Sequence, residues 1–211
     1  LGYEVISPAG NFNYSTSYLF SYGPFSHTGI KADMSLSEDV DLMLAVMNPT
    51  DVTELNLNEK YALGAQLGYK GQYLNFLLDD GDFEIDFTGG FDMSDTFFLG
   101  LNAAYFEADE DSLGFYGGAI YPQLATSDSF TLGLRAEYFQ EEGNFGAIGT
   151  GVEDSSVFAA TLTGSYDVGN LTIKPEIRLD SASDDSNFFL DSDLTPQKNL
   201  SSFVLAAVYS F

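Results

Sequence analysis

The sequence predicts an all-β chain: an antiparallel up-and-down transmembrane β-barrel with about 11–12 strands in this chain. Three observations carry that expectation. From Thr28 onward, polar and apolar residues alternate in run after run, and period two marks a strand. The apolar faces of these runs hold no charged residue, although 18% of the chain is charged. Aromatic residues recur eight positions apart on those faces: Tyr61/Tyr69, Phe83/Phe91, Phe97/Tyr105, Phe130/Tyr138, Phe158/Tyr166 and Phe203/Phe211. Eight residues at roughly 3.3 Å, tilted about 40°, cover roughly 20 Å of membrane normal. That is close to the ~25 Å apolar band between the two aromatic girdles of a membrane barrel. A soluble sandwich supplies no reason for the interval.

Taken in order, the first clear strand shows Thr28, Ile30, Ala32, Met34 and Leu36 on one face, with Lys31, Asp33 and Ser35 on the other. Ser37-Glu38-Asp39 turns the chain into Val40, Leu42, Leu44 and Val46, which stand opposite Asp41, Met43 and Ala45. A polar loop opens at Asn48-Pro49-Thr50 and runs to Glu59. The face Tyr61, Leu63, Ala65, Leu67 and Tyr69 follows, with Gln66 behind it, and Lys70-Gly71-Gln72 turns it tightly. Leu74, Phe76 and Leu78 lead into the loop Asp79-Asp80-Gly81-Asp82. Phe83, Ile85, Phe87 and Phe91 then oppose Glu84, Asp86 and Thr88. A turn from Asp92 to Asp95 precedes Phe97, Leu99, Leu101, Ala103 and Tyr105, and the acidic loop Glu107 to Asp111 follows.

Phe115, Gly117, Ala119 and Tyr121 are predicted as the apolar face of a weaker, glycine-rich strand. Ser127-Asp128 turns it into Phe130, Leu132, Leu134, Ala136 and Tyr138, with Arg135 and Glu137 opposite. A Gly-rich loop covers residues 140–154. Phe158, Ala160, Leu162, Gly164 and Tyr166 stand opposite Thr161, Thr163 and Ser165, and Thr163 is expected to face a wet lumen. Asp167-Val168-Gly169-Asn170 has hairpin-turn chemistry. Leu171, Ile173, Ile177 and Leu179 then oppose Thr172, Lys174, Glu176 and Arg178; Pro175 has no N–H to give, so a bulge is expected there. An acidic loop from Asp180 to Asn199 precedes the final strand, whose face is Phe203, Leu205, Ala207, Tyr209 and Phe211. The connections alternate between short turns and usually longer loops, as periplasmic turns and outer loops do in such barrels.

Composition sets further bounds. The 211 residues include 7 Lys+Arg against 32 Asp+Glu, a formal net charge of -25. No basic footprint exists for nucleic acid, and docking on an anionic membrane surface is disfavoured. Hydrophobics at 45% and aromatics at 15% are too rich for a disordered chain. Without cysteine there is no disulfide and no thiolate metal site. No run of about 18 apolar residues is present, so no transmembrane helix is expected.

The order of several stretches resembles a known family. Gly2-Tyr3-Glu4, Asn13-Tyr14-Ser15 and Pro24-Phe25-Ser26-His27-Thr28-Gly29 are similar to the OmpL-like β-barrel porin family of Bacteroidetes-type bacteria. Leu134-Arg135-Ala136-Glu137-Tyr138-Phe139 and Leu171 through Asp180 resemble its later strands, so the likeness covers essentially the whole chain. The final amphipathic strand ending on Phe211 resembles the C-terminal signature of bacterial outer-membrane barrels. The resemblance implies passive transport without naming a solute; no reaction and no cofactor are expected. It also implies an N-terminal signal and further upstream strands absent from this chain, which would then be the C-terminal part of a larger barrel.

The expected partners are outer-membrane lipid, small solutes or cations, and other envelope proteins. A barrel that conducts nothing and serves such proteins is the alternative, and a soluble secreted β-domain stands further off. The candidate pore-lining residues are Lys31, Asp33, Asp41, Gln66, Glu84, Asp86, Arg135, Glu137, Lys174, Glu176 and Arg178, all pointing away from the apolar faces. They either bias which ions pass or ladder into ion pairs along the wall. Residues 1–25 have two readings. Phe12, Tyr14, Thr16, Tyr18, Phe20 and Tyr22 alternate with polar residues and could form a first strand. Alternatively the segment resembles, in its position and its mix of Asn, Ser and Tyr, the stretch that folds into the lumen of larger porins, and that likeness favours an inward constriction carrying Tyr14, Tyr18 and Tyr22. His27, the only histidine, sits beside Ser26, but adjacent residues do not make a base–nucleophile pair. The acidic loops follow no calcium-loop spacing and are expected to be solvated, with no metal assigned.

Overall fold

The computed structural model describes residues 1–54, 56–57, 59–109, 113–146, 148, 152–183 and 187–211. Its strands run in chain order: β1 (Gly29–Ser35), β2 (Val40–Met47), β3 (Ala62–Tyr69), β4 (Gln72–Asp79), β5 (Asp82–Asp92), β6 (Phe97–Glu107), β7 (Gly114–Ser127), β8 (Phe130–Glu142), β9 (Ser156–Val168) and β10 (Leu171–Ala182). A small hairpin, β11 (Phe189–Leu190) with β12 (Pro196–Gln197), interrupts the last loop before β13 (Asn199–Tyr209). Ten of these strands, β1 to β10, pair in sequence order and β13 pairs with β10, giving an 11-stranded antiparallel up-and-down sheet. β1 and β13 are its edges and do not pair with each other.

Alternation builds one continuous apolar face. Leu134 lies opposite Leu162, Leu162 opposite Ile177, and Ile177 opposite Phe203. Phe203 and Leu205 stay about two-thirds exposed. A surface this apolar is strongly unfavourable against water, at roughly 25 cal/mol per Å². Lipid contact removes that cost. Two-residue turns close four hairpins, and two of these turns have positive φ at both positions. Lys70 with Gly71 and Asp80 with Gly81 all have positive φ, the type I′ pattern that matches strand twist. The connection after Asp79 is therefore as tight as those on the opposite rim, not one of the longer loops. The acidic loop also holds the β11–β12 hairpin, which alternation did not reveal.

Two further expectations are corrected. On β7 the predicted faces are reversed: Phe115, Ala119 and Tyr121 are buried inside, while Tyr116, Ile120 and Leu124 face outward. Both faces of this strand are apolar, so period two alone does not select the side. Its neighbours do, because Tyr116 pairs with Tyr105 and Ile120 with Leu101. Pro175 makes no bulge. Pairing of β10 with β9 lapses at Lys174 and Pro175, but the register is the same on either side of the gap. The proline ring packs over Gly164, where a Cβ would lie 3.5 Å from Pro175 Cγ, so β9 leaves room and the strand need not shift. The bulge occurs instead between β7 and β8, at Ala125/Ser127 beside their turn.

Candidate functional site

Residues 1–25 form no strand. They carry a single 3-10 turn, Pro8–Gly10, and one short helix, α1 (Tyr18–Tyr22), and they lie against the inner face of the sheet. A backbone outside the ladder must find other partners for its N–H and C=O groups. Charged side chains of the wall supply them. Lys174 Nζ donates to Asn11 O at 2.6 Å and Phe12 O at 3.0 Å. Glu176 accepts from the N–H groups of Tyr14 (2.8 Å) and Ser15 (3.0 Å) and from the Thr163 hydroxyl. Arg135 donates to Ser15 O (2.6 Å) and Thr16 O (3.1 Å), and Arg178 to Thr16 O (2.7 Å). Glu137 accepts from Tyr18 N–H (3.0 Å) and Leu19 N–H (2.8 Å).

The helix start shows how complete this accounting is. Helix N-termini leave N–H groups unpaired and present a partial positive charge. Glu137 takes two of those groups, and the Ser17 hydroxyl caps Phe20 N–H at 3.0 Å. Ser17 in turn donates its N–H and hydroxyl to Glu4. Glu4 closes the network with a fully buried ion pair to Arg135, at 2.6 Å. Glu4 is the one charged residue among the first 25, the only sequence signal that this stretch meets a buried cation. Asn13, which donates to Thr163 at 2.7 Å, and Ser17 carried no such signal. Thr163 is itself fully buried, not a wet position.

Aromatic rings fix the segment sideways. Phe12 packs where Gly133 has no side chain, and Tyr3 where Gly100 has none; a Cβ at either would fall 2.2 Å from the ring or its hydroxyl. Tyr3 also stacks on Tyr121 at 4.3 Å, and Arg178 lies 5.0 Å from the Tyr18 ring centroid. Leu19, Phe115, Ala119, Tyr121 and Phe139 form the inner apolar cluster, with Tyr22, Phe106 and Phe145 packed on it. Phe145 belongs to the outer loop after β8, so this part of the interior is filled from above as well. A cavity of about 560 Å³ remains below, between residues 9–13 and the inner faces of β9, β10 and β13.

The predicted pore-lining residues therefore divide. Arg135, Glu137, Lys174, Glu176 and Arg178 converge on residues 11–19, and Arg178 also pairs with Asp180 at 2.9 Å. Asp86 is buried and accepts from Asn75; Glu84 is buried beside it. Lys31, Asp33 and Asp41 are exposed and Gln66 is half-buried; they bond only to one another and to near neighbours. Tyr14 is partly exposed, while Tyr18 and Tyr22 pack into the wall.

The twelve girdle aromatics all lie on the outward side. Tyr61, Tyr69, Tyr138, Phe158, Tyr166, Phe203 and Phe211 are exposed, and Phe83, Phe91, Phe97, Tyr105 and Phe130 lie partly covered. His27 is exposed, and its neighbour Ser26 donates to Asp51 at 3.2 Å instead. Of the acidic loops, Glu110, Asp111, Asp184 and Asp185 lie outside the described residues.

Comparison with known proteins places this geometry. No curated protein matches the chain. Among solved structures, the crystal structure of Acinetobacter baumannii OccAB4 superposes with a TM-score of 0.53 at 15% identity. The match covers 88% of this chain and 56% of that one, so the chain spans just over half its length. The two share the fold. A family model described as "Putative beta-barrel porin-2, OmpL-like" matches residues 1–211. The chain belongs to this OmpL-like β-barrel porin family.

Proposed function

We propose that the chain forms part of an outer-membrane channel through which small hydrophilic solutes and ions diffuse passively. In this reading the path runs along the inner faces of β1–β3 and β13, not past β5–β10. One observation carries it: residues 1–19 are hydrogen-bonded to side chains of β5 and β8–β10, while the hydrogen bonds and ion pairs of Lys31, Asp33, Asp41 and Gln66 go to other partners within β1–β4. The clamped segment narrows the lumen from one side, and these polar residues line the other. The net charge of -25 and the acidic outer loops concentrate cations at the mouth, so the channel prefers them.

The proposal assigns no reaction to the chain. Planar-bilayer recording of the reconstituted protein tests it. Steps of ion conductance are expected, with a reversal potential favouring cations, more strongly at 0.01 M salt where the Debye length is ~30 Å. Anion preference would shift the path to the Lys174 and Arg178 side. Absence of conductance would support the second reading, an occluded barrel serving other envelope proteins. That reading draws on the aromatic packing of Tyr22, Phe106, Phe115, Phe139 and Phe145 across the interior.

A further inference from the structure

At the outer end of the β4–β5 hairpin, a second cavity of about 170 Å³ lies between the wall and the end of the inward segment. Tyr22, Leu77 and Phe106 are among its lining residues, and four carboxylates, Asp51, Asp79, Asp82 and Glu84, supply its charge. Two of the four are committed to local backbone. Asp51 accepts from the N–H groups of Phe25 and Ser26, and Asp82 from that of Asp109.

The other two are not. Glu84 is 4% exposed and has no hydrogen-bond partner among the described residues. Asp79 is 9% exposed; its Oδ2 accepts from Thr50 N–H at 2.6 Å, but its Oδ1 is buried with no partner. A buried carboxylate without a partner is costly, and the remedies are a basic side chain, a proton or a cation. No basic residue lines the cavity; Lys60, from the loop before β3, reaches this hairpin but pairs with Asp80 of the turn.

The volume selects among cations. At about 30 Å³ per water, 170 Å³ accommodates roughly five to six waters. Among the described residues, no three acidic or histidine side chains converge so as to hold a metal ion, so an ion here takes its remaining ligands from water. Magnesium-class cations keep several waters and take only one or two carboxylates. We propose that Asp79 and Glu84 hold a hydrated divalent cation of this class inside the cavity. The ion neutralises the two free carboxylates and ties the β4–β5 hairpin to Gly23 and Pro24 at the exit of the inward segment.

Binding of Mn²⁺ to the full chain folded in detergent micelles, followed by electron paramagnetic resonance with Mg²⁺ as competitor, tests this. Wild type is expected to hold Mn²⁺ at a site that Mg²⁺ displaces, and Glu84→Gln to weaken that site at least tenfold. Asp191→Asn, in a different acidic loop, should leave it intact. Heat-dependent gel mobility adds a readout that mere misfolding would not give. Mg²⁺ should raise the wild-type midpoint but not that of Glu84→Gln, which in EDTA should unfold no earlier than wild type because its buried side chain carries no charge. Asp79→Asn should repeat the binding loss; if it does not fold, Glu84→Gln alone decides. Equal Mn²⁺ affinity and equal Mg²⁺ shifts in wild type and Glu84→Gln would overturn the proposal. So would a wild type that binds no displaceable Mn²⁺, leaving Glu84 a protonated acid.

Discussion

Lys174 and Lys31 stand on the same inner face of one sheet, and they behave oppositely. Lys174 is 5% exposed and spends its ammonium on two carbonyls of the inward segment. Lys31 bridges Asp33 at 3.1 Å with both side chains more than 60% exposed. The contrast extends to the strands around them. On β8 and β10 the inner charges are desolvated and replace a missing ladder. Along β1–β3 they remain in water. A polar lumen face is thus two different materials: a binding surface where a segment covers it and a solvated wall where none does.

The largest effect that can break this contrast is at Arg135. Arg135→Met strands Glu4 and two segment carbonyls without their donor. Breaking a buried pair from one side costs roughly 3–5 kcal/mol. Lys31→Met removes an exposed pair, for which the effect should be under about 1 kcal/mol. Urea unfolding of both variants in lipid vesicles compares them, and similar losses would mean that the two halves are not different in kind.

Next comes the outward face. Leu134→Arg puts a charge into lipid, with a cost of roughly 2–4 kcal/mol at the midplane. Asp33→Arg stays on the solvated inner side and should fold almost as well. If the two variants insert equally into vesicles, the assignment of faces fails.

A smaller effect separates the glycines. At Gly133 a Cβ meets the Phe12 ring at 2.2 Å, so Gly133→Ala must push out an anchor of the segment, costing roughly 1–3 kcal/mol as overpacking does. At Gly64 the nearest atom is the mobile end of Met47, at 2.9 Å, and Gly64→Ala should cost less. Adding Phe12→Leu to Gly133→Ala should recover part of the loss in the same unfolding assay. No recovery would place the strain elsewhere than on the segment.

The smallest effect lies outside both halves. Hydrogen bonds from Thr195 N–H, then Asp193 N–H and the Gln197 side chain, hold the Asp191 carboxyl below its ordinary value. A carboxyl depressed in the folded state contributes order that is complete above its unfolded pKa, ~3.9, and is lost as pH falls through the folded value. The Thr195 amide shift should therefore titrate below that range, while inner-face amides of β8 stay unmoved at that step. A midpoint at or above ~3.9 would deny the cap its role.

Legibility followed the same division. Strands with one apolar and one polar face, such as β8 with Leu134 against Arg135, could be read with their sides, because lipid outside and polar groups inside impose period two. β7 was read backwards because the inward segment needs an apolar bed, and Phe115, Ala119 and Tyr121 provide it. Pro175 suggested a bulge because its missing N–H is visible in sequence, whereas the room left by Gly164 is visible only across two strands.

By itself the sequence determined the strands, their up-and-down order and the outward face, since each depends on neighbours in sequence or on a two-residue period. It also determined that Arg135, Glu137, Lys174, Glu176 and Arg178 avoid lipid. Only the tertiary structure decided what those residues touch. Their partners are backbone groups of residues 11–19, more than 100 positions away, and a backbone N–H or C=O is the same on every residue. No pattern of side chains announces that contact, apart from a single acid, Glu4, in an otherwise uncharged stretch.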